Sequence, residues 1–315
     1  MIHEFLQDWD LKSPSRIHEI PDGAVNRVYR IEAPDQNYFL RVYKSSDLAT
    51  LKREHALIDC VLQQNIPAAR PLESKSGDRF TVKNGKIAAL YTEAKGQQIK
   101  RHNLRLSHAL AAGKMLAQIH LATREFPNHG YRIYNLSWDS EAWIEKLNNI
   151  ERLILSRREK TESDQWALDR LKDQRRWLQN SLCSHYYVPQ NPSQVLHGDF
   201  HDGNLFFDHD KVSGVIDWDQ STYMPRAFEV VRAASYMFGL DREPTLAFIN
   251  AYREVFPLTE AELEDGAQGW GRRSDHYVWA IEEVYIHGNE RARVFIPHRK
   301  FLPFQELWAK IRSSP

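Results

Sequence analysis

Residues Val195 to Asp219 read VLHGDFHDGNLFFDHDKVSGVIDWD, and no other stretch restricts the fold as much. Two short apolar runs, Leu205-Phe206-Phe207 and Gly214-Val215-Ile216, flank the turn-forming segment Asp208-His209-Asp210-Lys211, which predicts an antiparallel hairpin. Pairing Leu205 with Ile216, Phe206 with Val215 and Phe207 with Gly214 brings Asn204 opposite Asp217 at the open end. Hard oxygen ligands held that close suit Mg²⁺, which keeps several waters and takes its remaining ligands from nucleotide phosphates. Asp199, five residues before Asn204, then projects from the preceding loop toward the same point. Such a carboxylate can accept the proton of a hydroxyl as its oxygen attacks a γ-phosphate. Asp, Asn and Gly also populate turns for backbone reasons alone, so the ordered string carries this expectation rather than any one residue.

The same letters fit a rival chemistry. His197, Asp199 and His201 alternate, and two imidazoles with a carboxylate suit zinc or a dinuclear centre in a metal-dependent hydrolase. The segment upstream separates the two readings, because only phosphoryl transfer requires a nucleotide-binding lobe there. Asp22-Gly23-Ala24-Val25-Asn26-Arg27 before Val28-Tyr29-Arg30-Ile31 reads as a glycine-containing turn between strands, able to fold backbone amides over phosphates. Tyr38 to Tyr43 forms a strand containing Arg41, and the helix beginning near Leu48 places Glu54 on the apolar stripe of Leu51, Ile58 and Val61. A carboxylate on an apolar face needs a partner. Arg41 is the natural one, since a guanidinium can grip Glu54 and still offer donors to phosphates. Asn84-Gly85 between Phe80 to Lys83 and Lys86 to Tyr91 predicts a hairpin that closes the sheet.

HGDFHDGN followed by IDWD resembles the catalytic loop and metal motif of the aminoglycoside phosphotransferase/choline kinase group, small-molecule relatives of protein kinases. The resemblance implies an α+β, protein-kinase-like two-lobed fold, with a small N-terminal antiparallel sheet and one helix (residues 1–94) ahead of a larger, mostly helical lobe (residues 95–315). It also implies that His197 supports the loop, that Asp199 is the catalytic base, and that Asn204 and Asp217 bind Mg²⁺ with help from Asp219. Asn26-Arg27-Val28-Tyr29 is similar to the family's Asn before a Val-Tyr pair, and Arg41 stands where most kinases place a phosphate-binding Lys. Thr92 to Gly96 would connect the lobes, with Thr92 and Ala94 contacting the adenine edge. PRAFEVVRAA resembles the segment after the metal motif, with Glu229 where many members have Asp. The implied reaction moves the γ-phosphoryl of ATP, or of GTP, to a hydroxyl of an amino alcohol, hydroxy amino acid, aminoglycoside or sugar. The thin glycine turn and Arg41 keep a second class open: a nucleotide-binding regulator or scaffold of the same fold without chemistry.

Downstream, apolar spacing predicts helices over Leu106 to His120, within Trp138 to Leu182 as a pair joined near Glu159 to Asp164, and over Tyr223 to Gly239, Glu243 to Val255, Leu258 to Gln268, Asp275 to Gly288 and Phe301 to Ile311. Trp138, Asp139, Glu141, Trp279, Glu282, Glu283 and Tyr285 are candidates for walling an acceptor pocket, because aromatics and carboxylates together suit an amine or polyol. At 315 residues two lobes are expected. Lys+Arg 42 balances Asp+Glu 42, which gives no electrostatic case for nucleic acid or a membrane surface. Cys60 and Cys183 cannot build a disulfide framework, and MIHEFLQDWDLKS lacks the basic start and apolar core of a signal peptide. The expectation is a cytoplasmic monomer or homodimer whose partners are a nucleotide and a small hydroxylated substrate.

Overall fold

The computed structural model describes residues 2–12, 15–20, 26–180 and 187–312; Asp22 to Val25 of the expected glycine-containing turn, and Cys183, lie outside them. In chain order the elements are α1 (Ile2–Leu6), β1 (Arg16–Ile20), β2 (Arg27–Glu32), β3 (Asn37–Val42), α2 (Leu48–Gln63), β4 (Thr81–Lys83), β5 (Lys86–Thr92), α3 (Leu106–Ala122), α4 (Ser140–Leu155), α5 (Glu162–Asn180), β6 (Ser193–Leu196), β7 (Leu205–Asp208), β8 (Lys211–Val215), β9 (Thr222–Pro225), α6 (Arg226–Phe238), α7 (Arg242–Val255), α8 (Glu260–His276), α9 (Trp279–Tyr285) and α10 (Phe304–Arg312). No described helix is long and apolar enough to cross a membrane.

The N-terminal lobe is one antiparallel sheet of order β1-β2-β3-β5-β4. Side chains alternate across a strand. On β3, Tyr38, Leu40 and Val42 therefore pack with Phe5, Leu6 and Trp9 from the α1 segment on one face. Phe39, Arg41 and Tyr43 point to the other face, where α2 lies. β5 is covered on both faces, and Ile87 to Tyr91 is buried throughout. The β4–β5 hairpin turns on Asn84 and Gly85, both at positive φ (52° and 71°), as a tight hairpin turn requires. Asp47 caps α2 by accepting from the amides of Ala49 (2.9 Å) and Thr50 (3.3 Å). Leu51, Glu54, Ile58 and Val61 are all buried, as the stripe predicted.

The remainder is largely helical around two cores. One includes α3, α6, α7, α8 and α10; the other joins Leu147, Ile150 and Ile154 of α4 to Leu171 of α5 and Ile281 and Val284 of α9. The helix expected from Tyr223 starts at Arg226, because Thr222–Pro225 pairs with Ser193–Leu196 as a two-stranded ribbon. The helix expected to end at Gln268 runs to His276. It continues through Gly266, Gly269 and Gly271, whose low helix propensity tertiary packing overrides. A Cβ on Gly266 would stand 2.5 Å from the Ala227 carbonyl carbon, so the residue permits close approach of α6 and α8. The helix expected over Asp275 to Gly288 is the shorter Trp279–Tyr285.

Candidate active site

The β7–β8 hairpin forms, with its register one residue from the expected one at its open end and two residues from it at Phe207, which pairs with Val212. Leu205 pairs with Val215 and Phe206 with Gly214, and a bulge follows at Phe206/Phe207. Asn204 consequently faces Ile216, whose amide donates to the Asn204 carbonyl (3.0 Å). Asp217 then takes a left-handed conformation (φ 67°, ψ 59°). Left-handed backbone is costly for a residue with a Cβ and is retained where the surroundings impose it.

The preceding loop is fixed from below. Gly198 has φ +83°, and a Cβ there would lie 2.0 Å from the Gln220 carbonyl oxygen, so only glycine fits. The amides of His197 (3.1 Å) and Gly198 (2.5 Å) donate to the buried carboxylate of Glu229. That carboxylate also bonds His120 Nε2 at 3.0 Å, and His120 Nδ1 bonds the Tyr252 hydroxyl at 2.8 Å. Burial would raise the Glu229 pKa, but the hydrogen bond and charge of His120 hold it below the usual carboxylate range. His197 is tied into the loop through both ring nitrogens. Its Nε2 donates to the Ile216 carbonyl (3.0 Å), and its Nδ1 accepts from the Asp199 amide (3.2 Å). With both ring nitrogens engaged and the residue fully buried, His197 has no lone pair for a metal. Among the described residues no three His, Cys, Asp or Glu side chains are grouped to hold a metal ion, so the zinc arrangement of His197, Asp199 and His201 does not form.

Asp199 is held by three side chains. Arg232 of α6 bonds Oδ1, Asn204 Nδ2 donates to Oδ2 at 3.1 Å, and His201 Nε2 lies 3.4 Å from Oδ2. Burial pushes the Asp199 pKa up, yet the hydrogen bond from His201 and the charge of Arg232 outweigh it and bring it to about 2. Asp199 is therefore an ionised acceptor at any ordinary pH.

Across the cleft, Arg41 is shared by three carboxylates. Nη2 lies 2.7 Å from Asp217 Oδ1 and also bonds Asp219 Oδ2, while Nη1 is 3.6 Å from Glu54 Oε1. The Arg41–Glu54 pair was foreseen, but the stronger contacts of Arg41 are with the acidic residues after the hairpin. Asn26 joins this group: its Nδ2 donates to Asp219 Oδ2 (2.9 Å), and its Oδ1 accepts from the Lys44 amide (3.0 Å). The hydroxyls of Tyr43 and Tyr91, 2.6 Å apart, lie 3.2 Å from Glu54 Oε2 and 3.3 Å from Glu54 Oε1, respectively, and His55 Nε2 backs Tyr91 at 2.9 Å. Desolvation pushes Glu54 up to about 7 despite the Arg41 charge. A cavity of about 450 Å³ opens beside this cluster, lined by Asn26, Lys44, Thr50, Glu54 and Asp219 among others.

These contacts distinguish the oxygens that face a cation. Asp219, expected beside the metal, has Oδ2 engaged by Arg41 and Asn26 and Oδ1 by Gln220 Nε2 (3.1 Å). Asp217 is engaged by Arg41 through Oδ1 alone (2.7 Å). The Asn204 amide nitrogen is bound to the Asp199 carbonyl (2.9 Å) and carboxylate (3.1 Å), which leaves its Oδ1 without a donor among the described residues. Asp217 is 35% exposed. An amide oxygen and a carboxylate are hard donors that fit a divalent cation completed by water and phosphate. The Thr92 amide donates to the Arg70 carbonyl (2.9 Å). Ala94 packs against Gly214 of β8, where an added Cβ would approach its methyl to 2.9 Å.

The expected acceptor wall is mostly structural. Trp138 stacks on His276 at 4.1 Å. Asp139 caps α4, Lys146 pairs with Glu282, Glu283 accepts from Asn289 Nδ2 (2.8 Å), and Tyr285 donates to Asp164 (2.5 Å). Glu141 is exposed in the first turn of α4, and Trp279 packs against Phe295 with ring centroids 5.7 Å apart. Sequence reading missed Tyr43, Tyr91, His120 and the Tyr134–Arg273–Tyr277 group, none of which belongs to a compact motif, and it missed Arg232 although the PRAFEVVRAA segment contains it.

Known proteins resemble this chain in sequence and in shape. The homoserine kinase of Methylobacillus flagellatus is 23% identical over 266 residues, covering 83% of this chain and 77% of that protein. An amicoumacin kinase solved with AMP-PNP, Ca²⁺ and Ami superposes with a TM-score of 0.61 at 15% identity, covering 98% of this chain and 96% of that one. A spectinomycin phosphotransferase solved with ADP and spectinomycin gives 0.63 at 13% identity, covering 99% and 94%. The model of the phosphotransferase enzyme family matches residues 16–269. With the kinase-like sheet and helical lobe and the Asp199, Asn204 and Asp217 cleft already described, the chain belongs to the phosphotransferase enzyme family and is a small-molecule kinase.

Proposed function

We propose that the chain transfers the γ-phosphoryl of ATP or GTP to a hydroxyl of a small molecule, with Asp199 as the acceptor-orienting base and Asn204 and Asp217 as ligands of Mg²⁺. The observation that carries this reading is the joint hold on Asp199 by Asn204 and Arg232, which fixes an ionised carboxylate beside the free amide oxygen of Asn204. The acceptor oxygen forms the new bond to phosphorus as the bond to the β-phosphate oxygen breaks. The diphosphate leaves, and the hydroxyl proton passes to Asp199 and then to water. When bound, Mg²⁺ neutralises phosphate charge that develops during transfer. Arg41 holds Asp217 and Asp219 and reaches Glu54, so it positions the strand that presents phosphate-facing groups against the hairpin. The named relatives and neighbours support nucleotide, divalent metal and hydroxyl acceptor together: one is a homoserine kinase, and one was solved with AMP-PNP and Ca²⁺.

A second reading, a nucleotide binder without chemistry, draws on the grip of Arg41 on Asp217. Mg²⁺-dependent ADP release across a panel of hydroxylated metabolites separates the two. Acceptor-stimulated release supports transfer, whereas nucleotide binding with no stimulated release by any acceptor removes it.

A further inference from the structure

Beyond Asp199 the cleft wall is built of arginine and tyrosine. Arg232, bonded to Asp199, lies 4.5 Å over the Tyr236 ring, and Tyr236 stacks with His201 at 6.0 Å. Arg273 of α8 sits 3.7 Å over the Tyr134 ring and 5.2 Å from that of Tyr277. Tyr134 packs on Phe228 (ring centroids 5.8 Å), Phe228 on Trp270 (5.6 Å) and Trp270 on Tyr236 (5.8 Å), so these residues form one patch that runs through Arg232 to Asp199. Arg273 is half-buried and Tyr277 is 40% exposed, so solutes can reach it.

Charge decides what such a patch receives. Among the described residues Arg273 has no carboxylate partner. Nearby carboxylates are engaged elsewhere: Asp202 pairs with Arg101 (3.4 Å), Asp265 accepts from the amides of Gln190 (3.0 Å) and Asn191 (3.2 Å), and Glu229 holds the loop. A half-desolvated guanidinium between two aromatic rings, with free donors, matches a planar carboxylate or a phosphate. An amine would require the opposite, aromatic faces with unpaired carboxylates.

We propose that the acceptor is a hydroxyl compound bearing a carboxylate or phosphate, which Arg273 binds between the hydroxyls of Tyr134 and Tyr277 while the reacting hydroxyl faces Asp199. This rests on the phosphotransfer reading, and the test keeps the two apart. ADP release by the full chain is measured with matched pairs, L-homoserine against its carboxamide and glycerol 3-phosphate against glycerol, and with the polycation kanamycin; calorimetry records binding of each. One anionic acceptor should exceed its neutral partner about 100-fold in kcat/KM, and the preferred pair identifies carboxylate or phosphate. Arg273→Gln should cut that ratio at least tenfold, mainly through KM. Tyr277→Phe, a change on an exposed ring that keeps the fold, should lower it about fivefold. Equal use of the paired compounds, preference for kanamycin, or a ratio unmoved by Arg273→Gln overturns the anionic acceptor while transfer stands. Absence of stimulated ADP release with every compound defeats the transfer reading instead. In that case saturable binding of L-homoserine or glycerol 3-phosphate that Arg273→Gln abolishes upholds the anion site, and no such binding overturns it.

Discussion

The two sides of the cleft treat buried charge in opposite ways. Around Asp199 and Glu229 every carboxylate oxygen has its own donors, from Arg232, Asn204, His201, His120 and two backbone amides, and both groups are held below their usual pKa. Around Arg41 one guanidinium serves three carboxylates, and Glu54 is pushed up to about 7 by desolvation. A satisfied network has one arrangement. A cation shared by three acids has several of similar energy, which suits a side that must rearrange around nucleotide and metal. The difference teaches that the Asp199 side is pre-organised and, on the proposed function, that the Arg41 side is the adjustable one.

The sharpest way to break this comparison is Asp199→Asn. Turnover should fall about 10³-fold while nucleotide affinity stays within a factor of two, measured by ADP release and calorimetry; unchanged turnover would remove Asp199 from its role. Next comes Glu229→Gln, which leaves the loop amides and His120 without their charged acceptor. Loss of a buried, paired charge should cost about 3 kcal/mol in chemical denaturation. A loss below about 0.5 kcal/mol would show that the loop does not depend on it.

Glu54→Gln tests the adjustable side. The nucleotide KM should rise about tenfold with little change in kcat. In the unaltered protein the ionised fraction of Glu54 grows as pH rises through about 7, so the nucleotide KM should fall over that range; a pH–KM profile that keeps its slope in Glu54→Gln would refute the assignment. The folded protein holds the Glu54 proton above its ordinary 4.5, so its contribution to stability declines as pH rises from 4.5 to about 7. The smallest effect is expected for Asp219→Asn. Arg41 would settle more fully on Asp217, and the metal concentration for half-maximal rate should rise about threefold.

Much of this was legible along the chain, for identifiable reasons. Asp199 and Asn204 lie five residues apart on one loop, so local turn chemistry brings them together, and strand pairing carries Asp217 back to the same end of the hairpin. Glu54 could be found because a carboxylate on the Leu51, Ile58 and Val61 stripe violates amphipathic pattern and demands a partner. The hairpin register was misread because Asp208 pairs with Lys211 across a turn of only His209 and Asp210, tighter than turn-forming composition indicated, and the bulge at Phe206/Phe207 recovers one of the two residues of offset. The acceptor wall was misplaced because Trp138, Glu282 and Tyr285 fit a pocket by composition, while their contacts are internal to the helical core.

By itself, then, the order of residues determined the short-range units: a kinase-like sheet, an amphipathic helix carrying one buried acid, and a loop followed by a hairpin that carry Asp199, Asn204 and Asp217. Tertiary structure alone decided how Arg41 divides itself between Glu54, Asp217 and Asp219, and that Tyr134, Arg232, Arg273 and Tyr277 share one wall. The physical reason is range. Propensity and periodicity act over a few residues, whereas the partner of a charge is whichever group chain packing brings within a few ångströms, however distant it is in sequence.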